Sequence, residues 1–305
     1  KHFLQVVMHV YIAGGGSQQE RYARELVRAI ELPTARREDI SLTWEAIGRG
    51  VLPIIQPLYV AQNDAVAFYA ARAGLRLGDL LAVEPMIQLA GRTDSPHQIP
   101  AVRVLGRAGK FVQGVGVLKR MLDSGDQTLR VAAYEALLDY GSVSAVRAES
   151  ISGQFDLHCV KARGNYAVYA TTTGRPKIVL FGRDIPIRRP VFYCPPDELV
   201  TINAAAGGKK VDVYRKVPRS GQMSDTFAVE PTLAELIRTL GTLPTRGPDG
   251  NPQGLGLTYS QVVGVVHGMC KQGHAPAKFV LQPAPEMRKI YSSTPVGRPD
   301  MPEED

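Results

Sequence analysis

Three hexapeptides recur at a fixed step in this chain: AARAGL at 70–75, AVRVLG at 101–106 and AAYEAL at 132–137, each 31 residues after the last. The residues that open the corresponding helices keep the same step. Asp64, Ser95 and Asp126 lie 31 apart, and each carries a side-chain oxygen suited to a free N–H at a helix start. A fixed period of this length is the signature of stacked helical hairpins, none of which buries its own apolar face alone. Arrays of this kind act as scaffolds or binding surfaces more often than they carry chemistry.

The repeat gives three hairpins: 52–60 with 64–76, 80–90 with a helix ending near Arg107, and 112–122 with 127–139. Ala70, Ala71, Ala101, Ala132 and Ala133 supply small side chains where helices must approach closely. Pro100 falls inside the second inner helix and has no N–H, so it either delays the helix start or kinks the helix. Upstream, a helix begins near Asp39 and carries Leu42, Ile47 and the single tryptophan, Trp44. Before it, Ser17 and Glu20 form a capping box for a helix over 18–30. Its apolar stripe is Tyr22, Leu26 and Ile30, and Pro33 ends it. Residues 1–12 read as a strand built on Phe3, Val6, Val7, Val10 and Ile12, with Gly14, Gly15 and Gly16 as a hinge. The chain opens on Lys1 within that apolar stretch, and we read it as a piece of a longer protein.

Past Val146 the apolar period drops to two. Strands are predicted at 155–162, 166–172, 177–182, 191–194, 199–205 and 211–217. Arg163, Gly164 and Asn165 signal a hairpin between the first two, and Gly207 with Gly208 a tight turn that uses glycine's positive φ. A helix at 232–243 carries Leu233, Leu236, Ile237 and Leu240 on one face. A loop at 245–254, a helix at 260–271 and a strand at 277–282 follow, and the proline-rich tail reads as disordered. The organisation expected is a terminal strand and linker helix (1–35), helical repeats (36–149), a small α+β domain (150–282) and a tail (283–305).

No apolar run approaches the ~18 residues that a membrane-spanning helix needs. Cys159, Cys194 and Cys270 make an odd count, which argues against a disulfide framework and leaves the compartment open. The net charge of +7 is concentrated in one stretch. There Arg175, Lys177, Arg183, Arg188, Arg189, Lys209, Lys210, Arg215, Lys216 and Arg219 meet only Asp184, Asp197, Glu198 and Asp212, leaving it at +6. Two readings suit it: a patch that attracts an anionic partner, or a solvated β-surface. Phe181, Phe192, Tyr193 and Tyr214 lie among these cations and suit stacking on bases as well as a sheet core. Nucleic acid ranks low as a partner.

Other constellations are weaker. His267, Cys270 and His274 share a helical face at i, i+3 and i+7, and zinc favours such ligands. Their spacing matches no compact motif, Gly273 ends the helix before His274, and a fourth ligand would have to come from His158, Cys159 or Cys194. The alternative is a core cysteine between two surface histidines. The glycines within 13–17, and Gly207 with Gly208, lack a P-loop's pattern, and 254–260 leads into the next helix. There is no G-x-S-x-G. Asp156 and Asp184 beside local arginines read as surface ion pairs. No catalytic, cofactor-binding or metal-binding residue is assigned.

The order of the parts resembles a known family. An apolar terminal strand, a linker helix, short HEAT-like repeats and a β-rich domain containing GRPKIVLFGRDIPI (174–187) are similar to the C-terminal part of flagellar basal-body P-ring proteins that carry a helical-repeat extension. FLQVVMHVYI (3–12) resembles the last strand of that family's core domain. GQFDLHCV (153–160) and RPKIVLFGRD (175–184) resemble the start of its terminal domain, and the likeness covers residues 3–282. It implies a short HEAT-like α-solenoid followed by a small β-rich α+β domain. It also implies a non-enzymatic periplasmic subunit of the ring around the flagellar rod, at the peptidoglycan layer of the bacterial flagellum basal body. The implied partners are other P-ring subunits in a homo-oligomer, the rod and cell-wall components, with no cofactor. The alternative is a free-standing repeat adaptor that binds a protein on its concave face.

Overall fold

The computed structural model describes residues 16–108, 112–141, 144–216, 224–246 and 252–283. The predicted strand at 1–12, the hinge glycines Gly14 and Gly15, Arg219, the centre of the 245–254 loop and the tail from 284 lie outside them. The chain has a mixed α/β fold. Among the described residues eight helices precede the strands: α1 (Gly16–Ile30), α2 (Arg37–Ile47), α3 (Leu52–Ile55), α4 (Asp64–Arg76), α5 (Val83–Gly91), α6 (Gln98–Arg107), α7 (Val112–Met121) and α8 (Gln127–Asp139). Short 3-10 turns at Gln56–Val60 and Leu80–Ala82 fill part of the predicted outer helices, and a third, Arg49–Val51, precedes α3. α1 begins one residue before its predicted cap, Ser17. Its buried stripe is Ala23, Leu26 and Ile30, and Tyr22 faces solvent. No helix among the described residues is long and apolar enough to cross a membrane.

The 31-residue step is a physical spacing. Arg72 on α4 donates from Nε to Ser41 Oγ on α2 at 3.2 Å, and Arg76 pairs with Glu45 at 2.9 Å; both pairs are 31 apart in sequence. α2 therefore stands one register step before α4, although its own sequence shows little of the repeat. α6 and α8 approach more closely, since a Cβ on Gly106 would lie 2.5 Å from Ala136 Cα. α5 packs on both α4 and α6, and the His97 ring stacks on Phe68 at 5.0 Å.

The helix starts revise the predicted caps. Asn63, not Asp64, caps α4, accepting from the amides of Ala65 and Val66. Asp64 instead pairs with Arg92, beyond α5. Asp126 caps α8 as expected, accepting the Thr128 N–H at 2.8 Å. Ser95 accepts the His97 N–H at 3.3 Å, and the helix starts only at Gln98. Pro100 thus sits in the first turn, where an N–H has no intrahelical partner to lose, and the kink is unnecessary.

The strands are β1 (Val146–Ile151), β2 (Phe155–Val160), β3 (Ala167–Ala170), β4 (Lys177–Phe181), β5 (Val191–Tyr193), β6 (Val200–Ala204), β7 (Val211–Arg215), β8 (Phe227–Val229), β9 (Thr245–Arg246), β10 (Pro252–Gln253) and β11 (Lys278–Leu281). One sheet has the order β1-β2-β4-β3-β11, a second is an antiparallel β5-β6-β7-β8, and β9 and β10 form a two-stranded antiparallel pair. β2 runs parallel to β4, and β4 antiparallel to β3, so the predicted β2–β3 hairpin does not form. The apolar β4 buries its residues on both faces and takes the place between them. Residues 163–165 dock on the helices instead. The Arg163 N–H donates to Asp123 Oδ1 at 2.7 Å, and a Cβ on Gly164 would lie 2.9 Å from the Asp123 carbonyl oxygen. The β6–β7 hairpin does form, but neither Gly207 nor Gly208 has positive φ. Its turn closes with the Gly208 N–H donating to the Ala205 carbonyl at 3.0 Å.

Alternation along β4 divides the interior. Val179 and Phe181 join Val160, Ala167 and Tyr169 against the helices. Ile178 and Leu180 join Phe155, Leu157 and Val168 against the second sheet and the last two helices, α9 (Leu233–Gly241) and α10 (Tyr259–Lys271). The segment 254–260 does more than lead into α10. The amides of Leu255, Gly256 and Leu257 donate to carbonyls of Thr239, Thr242 and Leu240, which satisfies the end of α9.

α8 is built into the first sheet. Arg130 is wholly buried and donates from Nε to the Leu122 carbonyl at 2.8 Å. Its Nη1 donates to the Asn165 carbonyl in the loop before β3. Its guanidinium carbon lies 4.9 Å from the Phe181 ring centroid, a cation–π placement. Tyr134 hydroxyl meets His158 Nδ1 at 2.8 Å, and Tyr169 hydroxyl donates to Glu135 at 2.7 Å. Helices and sheet thus share one buried polar joint within one apolar core.

Candidate functional site

The predicted cationic residues divide among the two ends of the β6–β7 hairpin, the start of β4 and the turn after it. Lys209 and Lys210 are exposed on the β6–β7 turn, and Arg189 reaches the same turn by donating to the Gly208 carbonyl. Arg188 is exposed, and Lys210 lies 3.8 Å from Glu230. At the other end of the hairpin Lys216 pairs with Glu198 at 3.0 Å. Arg215 turns inward and donates to the carbonyls of Leu255 at 2.6 Å and Gly256 at 3.3 Å, which ties the second sheet to the segment before α10. Arg175 holds Asp156 at 2.7 Å. Lys177 opens β4, half-buried. Of the aromatics, Phe181 and Tyr193 are core, while Phe192 is exposed.

Arg183 stands apart. It lies on the turn after β4, between Gly182 (φ 115°) and Asp184 (φ 51°), both in the left-handed region. The Gly182 N–H donates to the Val160 carbonyl at 3.1 Å and folds the turn over the end of β2. A cleft of about 460 Å³ opens there, shared by Arg183 with Arg147, Lys161 and Arg238. Linear distance groups Arg183 with residues 175–219. Its actual neighbours come from β1, from the residue after β2 and from α9, and only the sheet order reveals them.

The two histidines of the predicted trio have other neighbours. The His267 ring lies 5.0 Å from Phe279, and His274 Nε2 is 3.2 Å from Gln272 Oε1. Burial pushes the Cys270 thiol up to about 11, so it is protonated at neutral pH. All three cysteines are free. Among the described residues no group of three or more His, Cys, Asp or Glu side chains is placed to hold a metal ion.

The chain matches no family model, and no curated protein matches it.

Two histidines, His158 buried and His97 half-buried, give the fold a pH dependence. Burial, reinforced by Lys177, holds His158 below its ordinary 6.5, and burial does the same to His97. The neutral ring is therefore the native form. The unfolded chain binds more protons once the pH falls below 6.5, so this contribution is full above that value and lost as pH drops through the lower folded values. Thermal melts from neutral pH down to about pH 5 are expected to show a falling Tm, less steeply in His158→Gln. A flat profile would show that both rings are held equally well when charged.

Proposed function

We propose that the chain is a non-enzymatic structural subunit, a short HEAT-like α-solenoid fixed to a small β-rich α+β domain, and that it serves in the P-ring of the bacterial flagellar basal body in the periplasm. The observation that carries the structural role is the joint at Arg130 and Tyr134. Through it the last helix of the array is part of the sheet's own core, which suits a spacer that must transmit load. The 31-residue contacts of Ser41 with Arg72 and Glu45 with Arg76 support the repeat architecture. The basal-body assignment is supported by the likeness of RPKIVLFGRD, which supplies β4 at the middle of the first sheet. In that setting the helical extension contacts neighbouring subunits or envelope components. The test is to isolate basal bodies from cells that make the full-length protein and to probe the rod-associated ring fraction. The protein is expected there; its absence, with the protein soluble elsewhere, rejects the assignment.

One observation favours the second reading, an adaptor that binds a protein. Val60, Leu80 and Leu81 are 65–75% exposed on two adjoining 3-10 turns, more apolar surface than a solvated array requires.

A further inference from the structure

We infer that the cleft between the ends of β2 and β4 and the start of α9 binds a small multivalent oxyanion, phosphoryl or polycarboxylate in chemistry. This inference does not rest on the basal-body reading. Arg147, Lys161 and Arg183 come from three separate segments and meet at one concavity of about 460 Å³. Each is exposed, and none forms an ion pair among the described residues. The cleft also contains Arg238, Glu235 and Asp184. Arg238 is taken up by Glu149 at 2.8 Å and Glu235 at 2.5 Å. Three unpaired cations therefore face one remaining carboxylate, Asp184.

Like charges gathered in a concavity repel one another and focus a positive potential, which an anion relieves. Two of the three are arginines, whose planar fork matches an oxyanion bidentately. The N-terminal end of α9 opens on the same space through Thr232 and Ala234 and adds a partial positive charge. The left-handed residues flanking Arg183 fix its turn against β2, which lowers the ordering cost of binding. The volume suits a small ligand, not a folded partner.

Calorimetric titration of the 305-residue chain with inorganic pyrophosphate, and separately with citrate, at low salt tests this. One saturable site is expected, weakening as salt is raised. A preference for pyrophosphate assigns a phosphoryl ligand, and a preference for citrate a carboxylate one. Arg183→Gln and Lys161→Gln each remove a side chain without a described ion pair. They should keep the wild-type Tm and lose affinity about tenfold, while the Lys209→Gln, Lys210→Gln double variant binds as wild type. Two results overturn the site: no saturable heat with either anion into the millimolar range, or affinity lost in the hairpin variant and kept in Arg183→Gln.

Discussion

Arg130→Ala is expected to lower stability by about 3 kcal/mol in urea denaturation, one of the largest losses from a single truncation in this chain. The side chain is fully buried, and its fork supplies donors to the Leu122 and Asn165 carbonyls. Truncation leaves both acceptors without that donor, each costing about 1–3 kcal/mol. It also leaves a void against the Phe181 ring. One effect opposes these. Burial holds the guanidinium pKa down, so removing the charge relieves its desolvation cost, which keeps the net below the sum of the losses. Arg130→Lys should recover little, because a single ammonium cannot serve two carbonyls in the plane of a fork. A loss under about 1 kcal/mol for Arg130→Ala would mean that apolar contact alone holds helices and sheet together.

The second large effect is expected at Gly106. A Cβ there would meet Ala136 Cα at 2.5 Å and the Ala136 carbonyl oxygen at 2.8 Å. These are backbone atoms that no rotamer change moves aside, so α6 and α8 must separate. Gly106→Val is expected to cost about 3 kcal/mol by overpacking. Gly116 in α7 is the control, since a Cβ at that position would meet nothing within 4 Å. Gly116→Ala should stabilise by up to about 1 kcal/mol through helix propensity. Equal effects at the two glycines in thermal or urea melts would contradict the close approach of α6 and α8.

Much of the local structure is legible because it is written in local spacing. The helix of Gln127–Asp139 with its Asp126 cap follows from side-chain chemistry within one turn, as does the α9 face of Leu233, Leu236, Ile237 and Leu240. What escapes the sequence is non-local. Arg163, Gly164 and Asn165 carry hairpin chemistry, but their contacts with Asp123 and Arg130 hold them on the helices, and β4, from later in the chain, takes the edge of β2. The sequence VRAESI shows no clean alternation, so nothing in it announces β1; its exposed middle reflects an edge strand. The cap shift from Asp64 to Asn63 is invisible because Arg92, the partner that draws Asp64 away, lies 28 residues on. The patch suffers in the same way. Cations adjacent in sequence end on opposite ends of one hairpin, while Arg147, Lys161 and Arg183 are gathered from three segments.

The helices and the first sheet share one continuous core. The most direct test of this is urea unfolding followed at two places. Trp44, the single tryptophan, is fully buried in α2 and reports on the helical array by fluorescence. Cys159 on β2 reports on the sheet by thiol labelling in a Cys194→Ser, Cys270→Ala background. Coincident transitions are expected at both sites, moved together to lower urea by Arg130→Ala. Loss of the Trp44 signal while Cys159 stays protected would show two independently folding parts and contradict it.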